Sequence, residues 1–332
     1  MPNWLGDVVM ATPIIQDTKT YWPNATLTVM CQTNMLPLLK EDPYINEIFT
    51  FDRPSAWLHR IQERNLINRL KKGHYDLGIL LTNSFSSAWW FWRGKIKNRI
   101  GFKGNFRNLF LQHKVSFPKN KEIQHQVLTY KSLLFPLGIP LSETKPKLYI
   151  SQNDLKDAHE LLSVHGVKKT SILIGINPSS AYGPAKCWLP ERFQEVTTKL
   201  LANPNIHVIY FGDQASKPSV NQICKGLPKR VINLAGLTSL SEFMALIMLC
   251  NVFLTNDSGP MHLASAIGTP LLALFGSTSD IKTGPYEGGK ILHKRVECSP
   301  CYKRTCPIDF KCMTSIETEE VYEEIEKLIN SI

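Results

Sequence analysis

Residues 252–262 read VFLTNDSGPMH, a short apolar run followed directly by small, polar and helix-starting residues. The run predicts a buried strand, and the residues after it predict a helix. The first N–H groups of a helix have no partner inside it, so this turn is typical of a phosphate site. Asp257 and Ser258 can cap the helix, and Gly259 lets a ligand approach the backbone. His262 would point toward that ligand, although a capped helix with a structural histidine remains the alternative.

The chain around this turn is organised as two α/β domains. The chain has 332 residues, 43% of them apolar, which is too long for one compact core and suits two domains of roughly 150 residues each. Short strands alternate with amphipathic helices in both halves, which predicts parallel sheets with ligands at the carboxyl ends of the strands. We place the boundary near residues 142–146, giving domains 1–150 and 151–332. The predicted strands are residues 26–31, 47–51, 77–81, 99–102, 172–176, 207–211, 252–255 and 271–274, and the helices are 8–21, 58–72, 124–135, 190–201, 240–249 and 317–329.

Several features of the chain predict its compartment. It has no apolar run long enough to span a membrane, and its amino end does not resemble an export signal. Eight cysteines scattered over this length are unlike a small disulfide scaffold and favour a reducing environment. We therefore expect a soluble, cytoplasmic protein.

Charge is unevenly distributed along the chain. Residues 1–150 hold 20 Lys and Arg against 10 Asp and Glu, whereas residues 151–332 hold 18 of each. No acidic residue lies between Asp76 and Glu122, and aromatic residues are interleaved with the basic ones there. Such a surface suits nucleic acid, an anionic membrane or a phosphorylated glycolipid, with an ordinary solvated face as the alternative. The basic residues are Arg93, Lys95, Lys97, Arg99, Lys103, Arg107, Lys114, Lys119 and Lys121.

Further loops of the second half fall where strands should end. Ser179 and Ser180 close the strand at 172–176, and their hydroxyl groups can bind phosphate oxygens. Lys186 follows on a short turn, where an ammonium group suits a diphosphate. Gly212 and Gly276 follow two other strands and are consistent with close ligand approach. Each signal is weak alone, but together they favour a nucleoside-diphosphate site.

Asp7, in the segment PNWLGD, precedes a long apolar helix. As the cap of that helix it would have no special role. A carboxylate that faces both an acceptor hydroxyl and a phosphate site across an interdomain cleft can instead act as a general base.

Four segments of the chain resemble the bacterial ADP-heptose:lipopolysaccharide heptosyltransferases, most closely the heptosyltransferase II group. In chain order they are WLGD with VVM, PSSAYGPAK with the following Trp188, NDSGPMHLA and FGS. The resemblance covers nearly the whole chain. It implies the GT-B architecture, with two facing Rossmann-like domains, an N-terminal acceptor domain, a C-terminal nucleotide-sugar domain and a last helix packing back on the first domain. It also implies an inverting transfer of heptose from ADP-L-glycero-D-manno-heptose, without metal or cofactor, to the first heptose of the Kdo-lipid A inner core.

The resemblance implies roles for individual residues. Asp7 would deprotonate the acceptor hydroxyl, and Lys186 would neutralise the departing ADP. The donor would be bound by Ser179, Ser180, Lys186, Asp257, Ser258, Gly259 and His262. The anionic lipopolysaccharide acceptor would meet the basic first domain through Arg93, Lys95, Arg99 and Lys103. The protein would accordingly be cytoplasmic and peripherally associated with the cytoplasmic face of the inner membrane.

Two segments depart from this pattern. Family members begin with a strand before the WLGD-like loop, whereas this chain starts at Met1, so we expect the first domain to lack that strand. Four cysteines crowd into the segment 298–312 at a spacing unlike that of zinc ribbons. Cys298, Cys301, Cys306 and Cys312 could bind a structural metal or pair as disulfides, but free thiols in a packed loop are the favoured interpretation.

Two other functions fit parts of the sequence. A related glycosyltransferase could use another nucleotide sugar or another acceptor on the same fold. A non-catalytic nucleic-acid-binding protein could use the basic, aromatic stretch. The electrically neutral second half, with its phosphate-site loops, argues against nucleic acid as the partner.

Overall fold

The computed structural model describes residues 1–52, 59–120 and 123–331. Two compact units divide the chain, Met1–Pro146 and Lys147–Ile332, close to the predicted boundary. Residue 58, where the second predicted helix should begin, and Lys121 of the basic stretch lie outside the described residues.

The first unit contains short parallel strands connected by helices and 3₁₀ turns. Its strands are β1 (Thr28–Gln32), β2 (Glu47–Phe51), β3 (Leu77–Leu80), β4 (Asn98–Phe102) and β5 (His113–Val115). Its helices are α1 (Leu5–Ala11), α2 (Pro13–Tyr21), α3 (His59–Lys72), α4 (Phe85–Arg93) and α5 (Gln126–Lys131), and 3₁₀ turns cover Thr33–Leu38, Asn108–Phe110 and Ser132–Leu137.

These five strands belong to two parallel sheets. One has the order β1-β2 and the other β3-β4-β5. Among the described residues no strand pairing joins these two sheets, so β1 and β3 are not hydrogen-bonded neighbours. The first element of the described chain is α1, and the expected lack of a preceding strand stays a prediction.

The second unit is a single doubly wound sheet. Its strands are β6 (Ile172–Asn177), β7 (Ile206–Tyr210), β8 (Val231–Asn233), β9 (Val252–Asn256), β10 (Leu271–Phe275) and β11 (Lys290–His293). Its helices are α6 (Gln152–Val164), α7 (Pro190–Leu200), α8 (Lys217–Cys224), α9 (Leu240–Leu249), α10 (Gly259–Ile267), α11 (Asp280–Thr283), α12 (Lys311–Thr314) and α13 (Thr318–Asn330), with a 3₁₀ turn at Pro184–Lys186.

The strand order of the second unit is β11-β10-β9-β6-β7-β8, and every pair is parallel. From β6 the chain first winds outward to β8, and then it returns to β9 on the other side of β6. Ligands of such sheets bind at the carboxyl ends of the strands where the winding direction reverses. In this unit that point lies between β6 and β9.

Burial explains why the central strands read as continuous apolar runs. All residues of β9 and β10 are buried, as expected for strands covered by helices on both faces. The last helix, α13, packs Val321 and Ile325 into the core of the second unit beside Trp188 and Phe193. Its expected packing on the first domain stays a prediction. Among the described residues, no helix has the length and apolar character needed to cross a membrane.

Candidate functional site

The carboxyl ends of β6 and β9 are joined by the buried side chain of Asn256. Its Oδ1 accepts the backbone N–H of Trp188 at 3.0 Å, and its Nδ2 donates to the carbonyl of Pro178 at 2.7 Å. One residue at the end of β9 therefore ties down both the loop after β6 and the segment before α7.

Lys186 and Asp257 form a buried ion pair at this edge. The Lys186 Nζ lies 2.6 Å from Asp257 Oδ2, and the two side chains are 12% and 3% exposed. The hydroxyl group of Thr278, just after β10, donates to the same carboxylate oxygen. The ammonium group also lies 4.7 Å from the centre of the Tyr182 ring. Asp257 and Tyr182 thus hold Lys186 in place, and Thr278 fixes the Asp257 carboxylate.

The two predicted serines lie beside this pair. Both Ser179 and Ser180 are half-buried, and the Ser180 hydroxyl donates to the backbone carbonyl of Asp257 at 3.4 Å. Asn177 donates from Nδ2 to the carbonyl of Ser179 at 2.9 Å, which folds the loop back on the end of β6. The structure therefore brings Ser179, Ser180, Lys186 and Asp257 together.

The turn between β9 and α10 is as predicted in outline but not in its capping. Ser258 is the N-cap residue in an extended conformation, and no side chain caps the helix. Ser258 thus occupies the predicted cap position, but its hydroxyl is paired with that of Thr255 at 3.2 Å. Asp257 does not cap the helix, because its carboxylate binds Lys186 and Thr278 instead. Gly259 begins the helix, and His262 is buried within it. The start of α10 thus has no side chain competing for an anion.

The cysteine-rich segment, residues 298–312, packs against the loop of residues 182–186, which we call the Lys186 loop. The sequence did not predict this contact. The carbonyl of Arg304 accepts the N–H of Ala185 at 3.0 Å, and the Tyr182 hydroxyl donates to the carbonyl of Tyr302 at 2.5 Å. Gly183 has a φ of 147°, and a Cβ there would lie 2.6 Å from the Arg304 oxygen. Only glycine suits this position, since it meets both the positive φ and the close approach.

The cysteines of this segment are present as thiols. All eight cysteines of the chain are in the described ranges, and none forms a disulfide. Cys312 is buried, which raises its pKa, and the nearby Cys298, Cys306 and Cys301 raise it further. Within the described chain, no group of three or more His, Cys, Asp or Glu side chains is placed to hold a metal ion. Cys301 and Cys306 are half-buried and Cys298 is exposed, so Cys312 is the one buried thiol of the four. The choice between free thiols and a bound metal stays a prediction.

The glycines that follow β7 and β10 make room for protein rather than for a ligand. A Cβ on Gly276 would lie 3.0 Å from the Met313 sulfur and 3.1 Å from that of Cys312. A Cβ on Gly212 would lie 2.5 Å from the Ser216 hydroxyl. The structure thus corrects the interpretation of these two glycines as points of ligand approach.

In the first unit, Asp7 lies inside α1 rather than at its cap. The N-cap residue is Trp4, so the alternative in which Asp7 caps the helix is wrong. The Asp7 side chain is half-buried, and its Oδ1 accepts a hydrogen bond from the Tyr130 hydroxyl at 2.9 Å. Burial raises the pKa of Tyr130 well above its usual range, and the negative charge of Asp7 raises it further. The Tyr130 hydroxyl therefore keeps its proton and donates it in the hydrogen bond.

Three of the four predicted acceptor residues are on the surface. Arg93, Lys95 and Lys103 are exposed, and the Arg93 guanidinium lies 5.4 Å from the centre of the Trp89 ring. The prediction that Arg99 binds the acceptor is wrong, because Arg99 is 8% exposed and donates to the carbonyls of Phe110 and Ile96. Its guanidinium joins β4 to the following turn and does not face an acceptor.

Sequence reasoning missed three side chains that build the second unit's site, namely Thr278, Asn256 and Tyr182. Thr278 follows β10 in the run FGSTS, and its neighbouring hydroxyl residues were a signal that it lies at the same sheet edge. Asn256 was read as part of the turn, but its double hydrogen bond depends on two distant loops. The assembled site has a fixed ammonium, two hydroxyl groups and an uncapped helix start. Together these groups suit an oxygen-rich anion.

Comparison with known proteins identifies the family of the chain. The family model for glycosyltransferase family 9 (heptosyltransferase) matches residues 63–311. Lipooligosaccharide heptosyltransferase 2 of Campylobacter jejuni subsp. jejuni serotype O:6 is 30% identical over 334 residues, which cover 99% of this chain and 97% of that protein.

Solved structures share the fold over the same extent. The Escherichia coli ADP-heptose lipopolysaccharide heptosyltransferase II has a TM-score of 0.84 at 26% identity, covering 99% of this chain and 97% of that one. The glycosyl transferase family 9 protein of Veillonella parvula has a TM-score of 0.89 at 24% identity, covering 100% and 96%. The expected α/β fold with parallel sheets, of the GT-B class, is confirmed. The chain therefore belongs to glycosyltransferase family 9, the heptosyltransferases, and is a glycosyltransferase.

Proposed function

We propose that this enzyme transfers L-glycero-D-manno-heptose from ADP-heptose to the first heptose of the Kdo-lipid A inner core, with inversion and without a metal ion. The observation that carries the proposal is the Lys186–Asp257 pair at the carboxyl end of β9, next to the uncapped start of α10. The E. coli neighbour named for ADP-heptose and the C. jejuni relative named heptosyltransferase 2 support the choice of donor and reaction.

The donor half of the reaction needs positive charge at the diphosphate. When the bond between the anomeric carbon and the phosphate oxygen breaks, ADP leaves with the electron pair and its charge increases. An ammonium group and the amino end of a helix stabilise such a charge where it develops. We assign the first role to Lys186, held by Asp257, and the second to Ser258 and Gly259. Ser179, Ser180 and His262 would complete the donor site.

The acceptor half needs a base. The acceptor oxygen attacks the anomeric carbon from the side opposite ADP, and its proton passes to a carboxylate, which we assign to Asp7. The hydrogen bond from Tyr130 fixes one oxygen of this carboxylate and so sets its orientation. Because Kdo and lipid A carry carboxylate and phosphate groups, the exposed Arg93, Lys95 and Lys103 suit this acceptor. The reaction would take place at the cytoplasmic face of the inner membrane.

Nucleotide selectivity provides the first test. Isothermal titration of the protein with ADP, GDP and UDP, without added metal, should show preferential binding of ADP. Preference for UDP or GDP would instead favour a related transferase with another nucleotide sugar. Absence of binding to all three by folded protein would contradict the donor site assigned to the second unit.

The assignment of the base is tested by Asp7→Asn. This variant should bind ADP as the wild type does and lose heptose transfer to a Kdo-lipid A acceptor that carries one heptose, by about 100-fold or more, because general-base catalysis contributes on the order of 10²–10⁴-fold. Glu41→Gln, which changes an exposed carboxylate of the same unit, is the matched control and should transfer normally. Full turnover by Asp7→Asn would remove Asp7 as the base.

A further inference from the structure

The first unit exposes several large apolar side chains along one short stretch of chain. Phe106 is 92% exposed and Leu109 is 88% exposed, while Phe85 and Trp92 on α4 are nearly half exposed. Single exposed apolar residues are ordinary, but a group of them indicates a surface that is covered in use. We call Phe85, Trp92, Phe106 and Leu109 the apolar patch.

Aromatic contacts join the two parts of the apolar patch. The ring of Phe110, in the turn next to Leu109, lies 5.4 Å from the Phe85 ring, 5.6 Å from Trp89 and 5.4 Å from Trp92, measured between ring centres. The α4 helix and the 108–110 turn therefore form one continuous surface rather than separate projections.

The segment that carries Phe106 is firmly anchored on its inner side. Arg107 is fully buried and donates to the carbonyl of Thr82, and the amide group of Asn105 donates to the carbonyl of Asn83 at 2.5 Å. Phe106 itself has a φ of 56°, a left-handed conformation that is rare for a bulky residue. A fixed backbone thus points a phenyl ring into solvent at a conformational cost that the fold does not recover through packing.

The stretch of chain that carries the apolar patch is basic. No acidic residue lies between Asp76 and Glu122 in the sequence, and Asp76 is itself paired with Lys97 at 2.8 Å. The exposed cations of this stretch are Arg93, Lys95, Lys103, Lys114 and Lys119. Arg93 lies 5.4 Å from the ring of Trp89, whose ring contacts that of Trp92 in the patch. Cations beside apolar side chains are complementary to a surface that is anionic outside and apolar beneath.

We propose that the apolar patch binds the surface of an anionic phospholipid bilayer, with Phe106 and Leu109 inserted below the headgroups. Tryptophan prefers the headgroup level, and basic residues are attracted to anionic lipids, so Trp92 and the exposed cations suit the layer above. This membrane contact goes beyond the proposed transfer, because it needs neither donor nor acceptor.

A single-stranded nucleic acid fits the same surface less well. Base stacking requires an open ring face. Phe106 offers an open ring face, but the Phe85 and Trp89 rings are stacked on each other at an interplanar angle of 14°, and Leu109, the next most exposed residue, has no ring. The exposed groups are therefore better suited to insertion among acyl chains than to stacking with bases.

Vesicle binding by the full chain tests the proposal directly. Wild-type protein should sediment with vesicles of phosphatidylcholine mixed with phosphatidylglycerol, and much less with phosphatidylcholine alone. The double variant Phe106→Ser/Leu109→Ser should bind the mixed vesicles about tenfold or more weakly, since two apolar side chains lose their burial. Circular dichroism and ADP titration should be unchanged, because both side chains already face solvent.

A matched control is available in the second unit. Val164 and Leu237 are also exposed apolar residues, at 86% and 63%, and Val164→Ser/Leu237→Ser should bind vesicles as the wild type does. Equal loss in this control, wild-type binding by Phe106→Ser/Leu109→Ser, or equal binding to neutral and anionic vesicles would overturn the proposal. So would single-strand oligonucleotide binding that depends on Phe106 and Leu109 while vesicle binding does not. If the protein did not bind ADP, the proposed heptose transfer would be contradicted, but the proposed membrane contact would not.

Discussion

Lys186 is the residue on which the donor site depends most. Its ammonium group is almost buried, and its charge is balanced by Asp257 at 2.6 Å. A buried ion pair adds little net stability by itself, because desolvation offsets much of the attraction. Its value here is positional, since an ammonium group held in place by Asp257 and Tyr182 needs no reorganisation when a diphosphate arrives.

Lys186→Ala should weaken ADP binding by about 10- to 100-fold, because a hydrogen bond to a charged group contributes roughly 1.5–3 kcal/mol. Lys199→Ala is the matched control, as Lys199 forms an exposed ion pair with Glu319 in the same unit. Titration calorimetry measures the affinities, and thermal denaturation shows whether each variant remains folded. Unchanged ADP affinity in folded Lys186→Ala would remove the role assigned to this lysine.

At the scale of elements, the residues at the start of α10 are typical of a helix start, but the amino end of this helix lacks a side-chain cap. Ser258 has the extended backbone of an N-cap, and Pro260 in the first turn has no N–H to satisfy. A typical helix at this point would use the serine hydroxyl as a cap. The absence of that bond in α10 leaves the helix start to a ligand.

Ser258→Asp should separate helix stability from donor binding. Aspartate is as good an N-cap as serine, so the melting temperature should not fall. ADP affinity should fall about tenfold or more, since two unit charges about 4 Å apart repel by roughly 1–4 kcal/mol between water and a protein surface. Ser239→Asp, at the N-cap of α9, is the control and should leave ADP affinity unchanged. Retained affinity in Ser258→Asp would argue against a diphosphate at α10.

Sequence patterns predicted the central strands of the second unit well, because a strand that is buried on both faces of its sheet has a continuous apolar sequence. The second-half strands at 172–176, 207–211, 252–255 and 271–274 were each found within one residue at either end. The edge strands β8 and β11 and the short β5 were missed, because three or four residues carry too little pattern. The predicted helix 8–21 is two helices, α1 and α2, since Thr12 ends one and Pro13 starts the next.

At the scale of the whole molecule, the second unit contains everything assigned to the donor. Its sheet, its apolar core and the segment 298–312 behind Lys186 all lie after residue 146. Each predicted donor residue also belongs to this unit. The donor site should therefore not need the first unit in order to form.

We expect residues 147–332, expressed alone, to fold and to bind ADP within about threefold of the full-length affinity, a difference of less than about 1 kcal/mol. Saturating ADP should raise the melting temperature of both proteins, because a ligand that binds the native state stabilises it. Titration calorimetry and thermal denaturation of the two proteins give the comparison. A folded fragment without ADP affinity would mean that the first unit contributes to the donor site.

The sequence by itself determined the central strands of the second unit, the parallel sheets and the position of the turn between β9 and α10, because these depend on periodicity and on residues close together in the chain. It could not distinguish exposed Lys103 from buried Arg99, which lie four positions apart in the same basic stretch. Only the tertiary structure decided that Asp257 holds Lys186 and that the cysteine-rich segment supports the Lys186 loop. Such contacts join residues far apart in sequence, and they form only when β9 pairs beside β6 and brings their loops to one edge of the sheet.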